Sequence, residues 1–561
     1  MVPDSCEIVW IRRDRPVNRD LNATMKPRSF IWILAFVGFA AIGYWLAGTA
    51  APDSPVRERR PSQHSSLPRN PMPDEPPVKF RASERDGETN DPDALAAGAF
   101  QGERILLFAD AAALERFLAR ADGLVRILDR LDALHALRIG FDDPMSLRGL
   151  LDEDAIESFV FPVMTPPPPE GTVQADAVAL GARLREWLGI TGNNSDWGAG
   201  VLIAILDTGV QAHSTFAHSI RTLDLLGGSD DGSGSHGTAV ASILSGNDPL
   251  APGVAPGANL LSIRIADADG YSDSFLLARG IIEAANAGAA LINISMGSHG
   301  DSALVRNAIR YAIESGALII ASVGNNGIQQ VSYPAANDGV IGVGAVDATG
   351  NHLLFSNTGQ QVDIAAPGFG LNAAWAGDEL AHVSGTSFSA PVVTGAIAAI
   401  MTQYRSEGLT AAQAWEVLNA YLNDGGAAGE DPELGSGMPD VGRVLDSLTP
   451  GLHDAAVASQ RIIPPTPATP FGEVEILIQN RGTEPLINTA VHISMGGGTT
   501  TSNITILPPN AVRTVRVPIP GPPALNNGNV RVDSSVSLSS ARDVKPANDR
   551  RVETLVVDPA R

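Results

Sequence analysis

Gly385-Thr386-Ser387-Phe388-Ser389-Ala390-Pro391 runs directly into Val392-Val393-Thr394-Gly395-Ala396-Ile397-Ala398-Ala399-Ile400. A serine stands between small residues at a sharp turn, with an apolar, helix-prone run behind it. The Ala-, Val- and Ile-rich part predicts a helix buried on most of its faces. Pro391 is expected in the first turn of that helix, where its missing N–H has no partner to lose. Ser387 is then held at a helix N-terminus, where backbone N–H groups and the helix dipole favour developing negative charge. A nucleophilic serine needs that environment. Alone, the stretch also reads as a plain small-residue helix start, and two upstream segments decide between the readings.

Residues 172–448 alternate apolar strands with helices, the pattern of an α/β fold with a doubly wound, mostly parallel sheet covered on both faces. Val201-Leu202-Ile203-Ala204-Ile205-Leu206 reads as a buried strand. Asp207-Thr208-Gly209-Val210 follows at its carboxyl end, where catalytic groups collect in open α/β sheets. A carboxylate there needs a partner; a turn or N-cap aspartate is the plain alternative. The partner stands 29 residues on, where Ser235-His236-Gly237-Thr238-Ala239-Val240-Ala241-Ser242-Ile243-Leu244 puts a histidine at the start of a small-residue helix. Gly237 permits close approach of backbone or substrate. Two more buried strands follow: Leu291-Ile292-Asn293-Ile294 leads into Ser295-Met296-Gly297, and 317–323 ends in Gly324-Asn325-Asn326-Gly327. Asn325 is a neutral donor suited to a developing oxyanion, against the plain reading of a glycine-asparagine turn.

Taken together, the motifs AILDTGV, SHGTAVASIL, SVGNNG and GTSFSAPVVTG resemble those of the subtilisin-like (subtilase) serine peptidases, over roughly residues 185–447. The chain order Asp, His, Ser is the hallmark of that family among convergent triads. The resemblance implies that Ser387 is the nucleophile, His236 the general base and then acid, and Asp207 the group that orients the imidazole. It implies an oxyanion hole built from Asn325 and the Ser387 backbone N–H. Ser295, Met296 and Gly297 would form the strand that pairs with substrate backbone by β-addition. Phe388 stands where the family often has methionine, and Ser242 where it often has glycine. No cofactor is required for such chemistry. Asp230 and Asp231 lie in a Gly/Ser loop that reads as solvated, so no metal or calcium site is assigned there. The expected partners are protein or peptide substrates.

The flanks complete the layout. Residues 98–171 read as β-α-β-β-α-β, a ferredoxin-like α+β unit. The resemblance implies that this unit is an inhibitory propeptide, cut away near 165–175. Pro166-Pro167-Pro168-Pro169 is a poor substrate for that cut, which leaves open a site some residues downstream. Residues 452–561 turn to short strands separated by Gly, Pro and Asn, as in an all-β sandwich, and resemble immunoglobulin-like adhesion modules of bacterial surface proteins. Residues 52–97, rich in Pro and charged groups, read as a linker.

Within residues 1–51, the uncharged apolar stretch 29–52 follows Lys26 and Arg28. It reads either as a cleaved export signal or as a membrane anchor, and Met25 offers a second candidate start. Both readings export the bulk of the chain. The net charge of −23 over 561 residues argues against a nucleic-acid partner, and the single cysteine, Cys6, excludes an intrachain disulfide. The resulting expectation is an exported, self-processing serine endopeptidase. The rival from another class is a non-catalytic scaffold that keeps the fold, for which loss of a triad or oxyanion residue would be expected.

Overall fold

The apolar run before Asp207 becomes the strand Leu202–Asp207, near the middle of a seven-stranded sheet. Its side chains divide with period two, as strand geometry requires. Ile203 and Ile205 face one core, shared with the helices Ser235–Ser245 and Thr386–Gln403; Ala204 and Leu206 face a second core, shared with the helices Ser274–Asn286 and Ala303–Glu314. Helices thus cover both faces. Across the sheet the order is Ile364–Pro367, Val340–Val346, Leu318–Ser322, Leu291–Ile294, Leu202–Asp207, Asn259–Arg264 and Arg221–Asp224, with every neighbouring pair parallel. The carboxyl ends of the central strands deliver Asp207, Ser295 and Asn325 to one edge.

This computed structural model describes residues 91–151, 155–166, 174, 177–227, 234–521, 525–526, 528–539 and 541–557. The apolar segment 29–52, the linker up to 90, Asp230, Asp231 and Pro167–Pro169 lie outside the described residues.

The helix behind the nucleophile is longer at its start than expected. It begins at Thr386, so Pro391 is its sixth residue and not part of the first turn. An interior proline leaves the carbonyl four residues earlier without its usual donor. Here that carbonyl belongs to Ser387, and the Ser295 hydroxyl donates to it at 2.7 Å. A side chain from the neighbouring strand end thereby replaces the lost helix bond. All residues from Thr386 to Ile400 are buried.

Ahead of this unit, strands Arg126–Leu131, Ala136–Gly140, Glu103–Phe108 and Ala155–Ser158 pair antiparallel in that spatial order, the ferredoxin-like arrangement. The helices Ala111–Ala121 and Pro144–Leu150 complete it, Asp110 capping the first by accepting from Ala113 N–H at 2.8 Å. A short helix, Pro92–Ala96, occupies part of the stretch read as linker to 97. Asp91 caps it and Ala94 packs with Ala99 and Phe161.

The C-terminal unit is a pair of antiparallel sheets. Ala455–Ile463, Glu473–Asn480 and Val512–Pro518 form one; Leu486–Met495, Gly498–Leu507, Asn529–Ser537, Leu525–Asn526 and Arg550–Val556 form the other. Val474, Ile476, Val491, Ile493, Val530 and Val532 fill the space between them. Arg443, almost fully buried, fastens this unit to the parallel-sheet unit. Its guanidinium donates to Leu422 O at 2.7 Å, to Tyr421 O at 3.1 Å and to Arg481 O at 3.2 Å.

In the same unit the Asp549 carboxyl is pushed up to about 7 by burial and by the adjacent Asp543 and Asp454 carboxyls. Between roughly pH 4 and that value the folded chain holds a proton that the unfolded chain has released. Stability contributed by this group is therefore present at low pH and lost as pH rises through that window. Replacing Asp549→Asn should raise the unfolding temperature at about pH 8 and change it less at about pH 5, as read by scanning calorimetry.

Candidate active site

Asp207 is fully buried, and its carboxylate spans the imidazole edge of His236, with Nδ1 at 2.8 Å from Oδ1 and 3.0 Å from Oδ2. Thr208 holds the carboxylate from its other side, donating from its backbone N–H to Oδ1 at 2.7 Å and from its hydroxyl at 3.2 Å. The Thr208 hydroxyl also accepts from Gly237 N–H at 3.2 Å, tying the start of the histidine helix to the aspartate strand. Gly237 is required there, because a Cβ would stand 2.2 Å from Gly209 O and 3.2 Å from Asp207 Oδ1.

His236 is mostly shielded, and its ring lies 5.3 Å from the Phe388 ring, tilted 46°. Phe388 follows Ser387 in the serine helix, so the two helix starts meet at this contact. His236 Nε2 is buried with no hydrogen-bond partner. The Ser387 hydroxyl donates at 3.2 Å to Ser295 O. The serine–histidine bond is therefore not closed here; such bonds are often long or poorly aligned outside the Michaelis complex.

Asn325 reaches the serine helix through Thr386. Its Oδ1 accepts from Thr386 N–H at 2.9 Å and from the Thr386 hydroxyl at 2.8 Å. With the oxygen fixed, the amide nitrogen is the end left beside Gly385, 2.8 Å from where a Cβ would stand. Gly385 has φ +141°, a conformation that glycine adopts freely, so space and backbone both demand glycine here. The structure thus brings Asp207 to His236 and Asn325 to the start of the Ser387 helix. Ser295 serves the site twice, through its carbonyl and through its hydroxyl. Met296 points into the core and is fully buried, so that residue offers the cleft its backbone alone.

Gly297 is already paired. Met164, at the end of the N-terminal unit, exchanges both backbone hydrogen bonds with it, at 2.9 and 2.8 Å. Pro162–Met164 pairs antiparallel on its other side with Tyr271–Asp273. The N-terminal unit is locked down beside this strand by Arg138, which bonds Asp273 at 2.7 Å and Glu103 at 2.8 Å, and by Arg279, which donates to Arg130 O at 2.9 Å. Thr386, Thr208 and the Ser295 hydroxyl carry no signal of their own in the sequence. Each acts on a residue already in a motif, and only spatial proximity reveals them. Among the described residues, no group of three or more His, Cys, Asp or Glu side chains is placed to hold a metal ion.

The profile of the subtilase family matches residues 198–437. Subtilisin BL of Lederbergia lenta is 33% identical over 214 residues, which is 36% of this chain and 77% of that protein. The thermostable alkaline protease of Halalkalibacterium halodurans is 34% identical over 225 residues, 38% of this chain and 60% of the relative's length. Among solved structures, the epidermin leader peptide processing serine protease of Staphylococcus aureus matches with a TM-score of 0.50 and 24% identity, over 62% of this chain and 99% of that one. That likeness concerns the fold.

Proposed function

The chain belongs to the subtilase family, and on that premise we propose that it is an exported serine endopeptidase, made as a self-processing zymogen. The observation that carries this reading is the buried Asp207 carboxylate astride His236 Nδ1, at 2.8 and 3.0 Å, at the strand edge whose Ser295 carbonyl accepts from the Ser387 hydroxyl at 3.2 Å. With Nδ1–H held by the carboxylate, Nε2 is the free basic nitrogen of the ring. It takes the Ser387 proton as the hydroxyl oxygen attacks the peptide carbonyl, and passes that proton to the leaving amine. The acyl-enzyme is then hydrolysed by water along the same path. Asp207 holds the ring in place and stabilises the imidazolium. The oxyanion is met by the Asn325 amide and the Ser387 backbone N–H, at the positive end of the serine helix.

Substrate backbone would add as a strand along Ser295–Gly297, and the partners are protein or peptide substrates. The N-terminal unit, 98–171, fits the role of an intramolecular inhibitor, because its end already lies on that edge. The catalytic unit would be 172–448 and the C-terminal module 452–561. Export rests on the apolar stretch 29–52, as signal or membrane tether.

Replacing Asn325→Ala should lower turnover about 10²- to 10³-fold with little change in KM, since the donor acts on the developing charge. Steady-state kinetics on a peptide anilide would check it. The zymogen reading is tested by intact mass over time. The parent chain should shed an N-terminal fragment and the Ser387→Ala chain should stay whole; two chains that both remain full length would refute self-processing.

A further inference from the structure

The strand that the N-terminal unit lays into the cleft has a fixed register. Met164 and Gly297 exchange both backbone bonds. On the opposite side Thr165 N–H donates to Gly270 O at 3.0 Å. In an antiparallel ladder the next pair that exchanges bonds lies two residues further on one strand and two residues back on the other. Continued in this register, the ladder would set Pro166 opposite Ser295. The Ser295 carbonyl is the acceptor that the Ser387 hydroxyl reaches at 3.2 Å. Continued so, the ladder would put Pro166 directly before the nucleophile. In the sequence, the bond after that residue joins Pro166 to Pro167.

Resting on the endopeptidase reading above, we infer that the 162–166 segment is a proline-locked plug, which the site holds and does not cut. Holding is well provided for. Phe161 O accepts from Ser274 N–H at 2.9 Å, and Phe161 N–H donates to the Ser274 hydroxyl at 3.1 Å. Gly300 and Gly270 are cut to the shape of this strand, because a Cβ on either would stand 2.0 Å from the Phe161 ring or from the Thr165 hydroxyl. Cutting is not provided for. Attack needs the scissile carbonyl fixed against both the nucleophile and the oxyanion donors. The bond that would fix residue 166 is an N–H donated to Ser295 O, and proline has none. The nucleophile's own hydroxyl occupies that acceptor instead. The leaving nitrogen would be that of a second proline. The inhibitory strand is thus protected from the enzyme it blocks, and the cut that matures the chain falls at another bond.

The test compares three full-length chains: the parent, the Pro166→Ala/Pro167→Ser double variant, and that double variant carrying Ser387→Ala. Intact mass is followed over time, and casein hydrolysis is assayed in parallel. The expected result is a fragment ending at residue 166 from the double variant. It should appear about tenfold or more faster than any cut at that bond in the parent, the scale of one regained hydrogen bond. The triple variant should give none. A parent that cuts itself cleanly between 166 and 167 would overturn the lock while leaving the enzyme reading intact. So would a double variant that hydrolyses casein but never cuts after 166. A double variant that neither cuts itself nor hydrolyses casein would overturn the enzyme reading, and the lock with it.

Discussion

Replacing Ser387→Ala is expected to lower peptide hydrolysis about 10⁶-fold, the scale for losing a triad nucleophile, while leaving the fold in place. Ser387 is buried at the second position of its helix, and its hydroxyl makes one bond, to Ser295 O. Removing an oxygen so lightly tied costs the fold little. The helix start is held by other groups: the Ser387 carbonyl by the Ser295 hydroxyl, and Thr386 by Asn325. Loss of activity with unchanged circular dichroism and unfolding temperature is therefore the expected pair of readouts. Residual hydrolysis above the uncatalysed rate should persist, because the oxyanion donors remain.

The second large effect is expected at Asp207→Asn, about 10⁴-fold in kcat. Both carboxylate oxygens face His236 Nδ1, so the ring must carry its proton on that nitrogen. An asparagine amide turned the same way presents an N–H₂ group to Nδ1 and draws the proton to Nε2. His236 is then unable to accept from Ser387. The alternative rotamer points the amide nitrogen at Thr208 N–H, which already donates to Oδ1 at 2.7 Å, so it is disfavoured. The variant should fold and bind peptide with a similar KM. A drop in KM affinity of the same size as the loss in kcat would instead indicate a collapsed site.

The main chain of this site was open to a sequence reading because each motif couples a buried strand or helix to one misplaced polar residue. Asp207 after an apolar run, and Ser387 ahead of an apolar helix, are costly positions without chemistry to justify them. What stayed hidden depends on contacts distant in sequence. Thr386 and Asn325 are 61 residues apart, and the Ser295 hydroxyl finds the Ser387 carbonyl 92 residues away. The interior position of Pro391 is hidden for the same reason, since nothing local announces a donor for the carbonyl it strands. The plug register was hidden more deeply, because it is set by backbone pairing of Met164 with Gly297 and side-chain pattern carries no sign of it. In the C-terminal unit, Arg550–Val556 buries little of itself, so its alternation offers a weak signal.

The central claim is that Asp207, His236 and Ser387 work as one nucleophilic unit, and covalent labelling tests it most directly. The full-length chain would be held with a fluorophosphonate for hours, so that transient opening of the cleft suffices, then digested and mapped by mass spectrometry. The expected result is a single adduct on the peptide carrying Ser387, absent from the Ser387→Ala chain and strongly reduced in His236→Ala. No adduct on Ser387 in a folded chain, or equal labelling when His236 is gone, would contradict it.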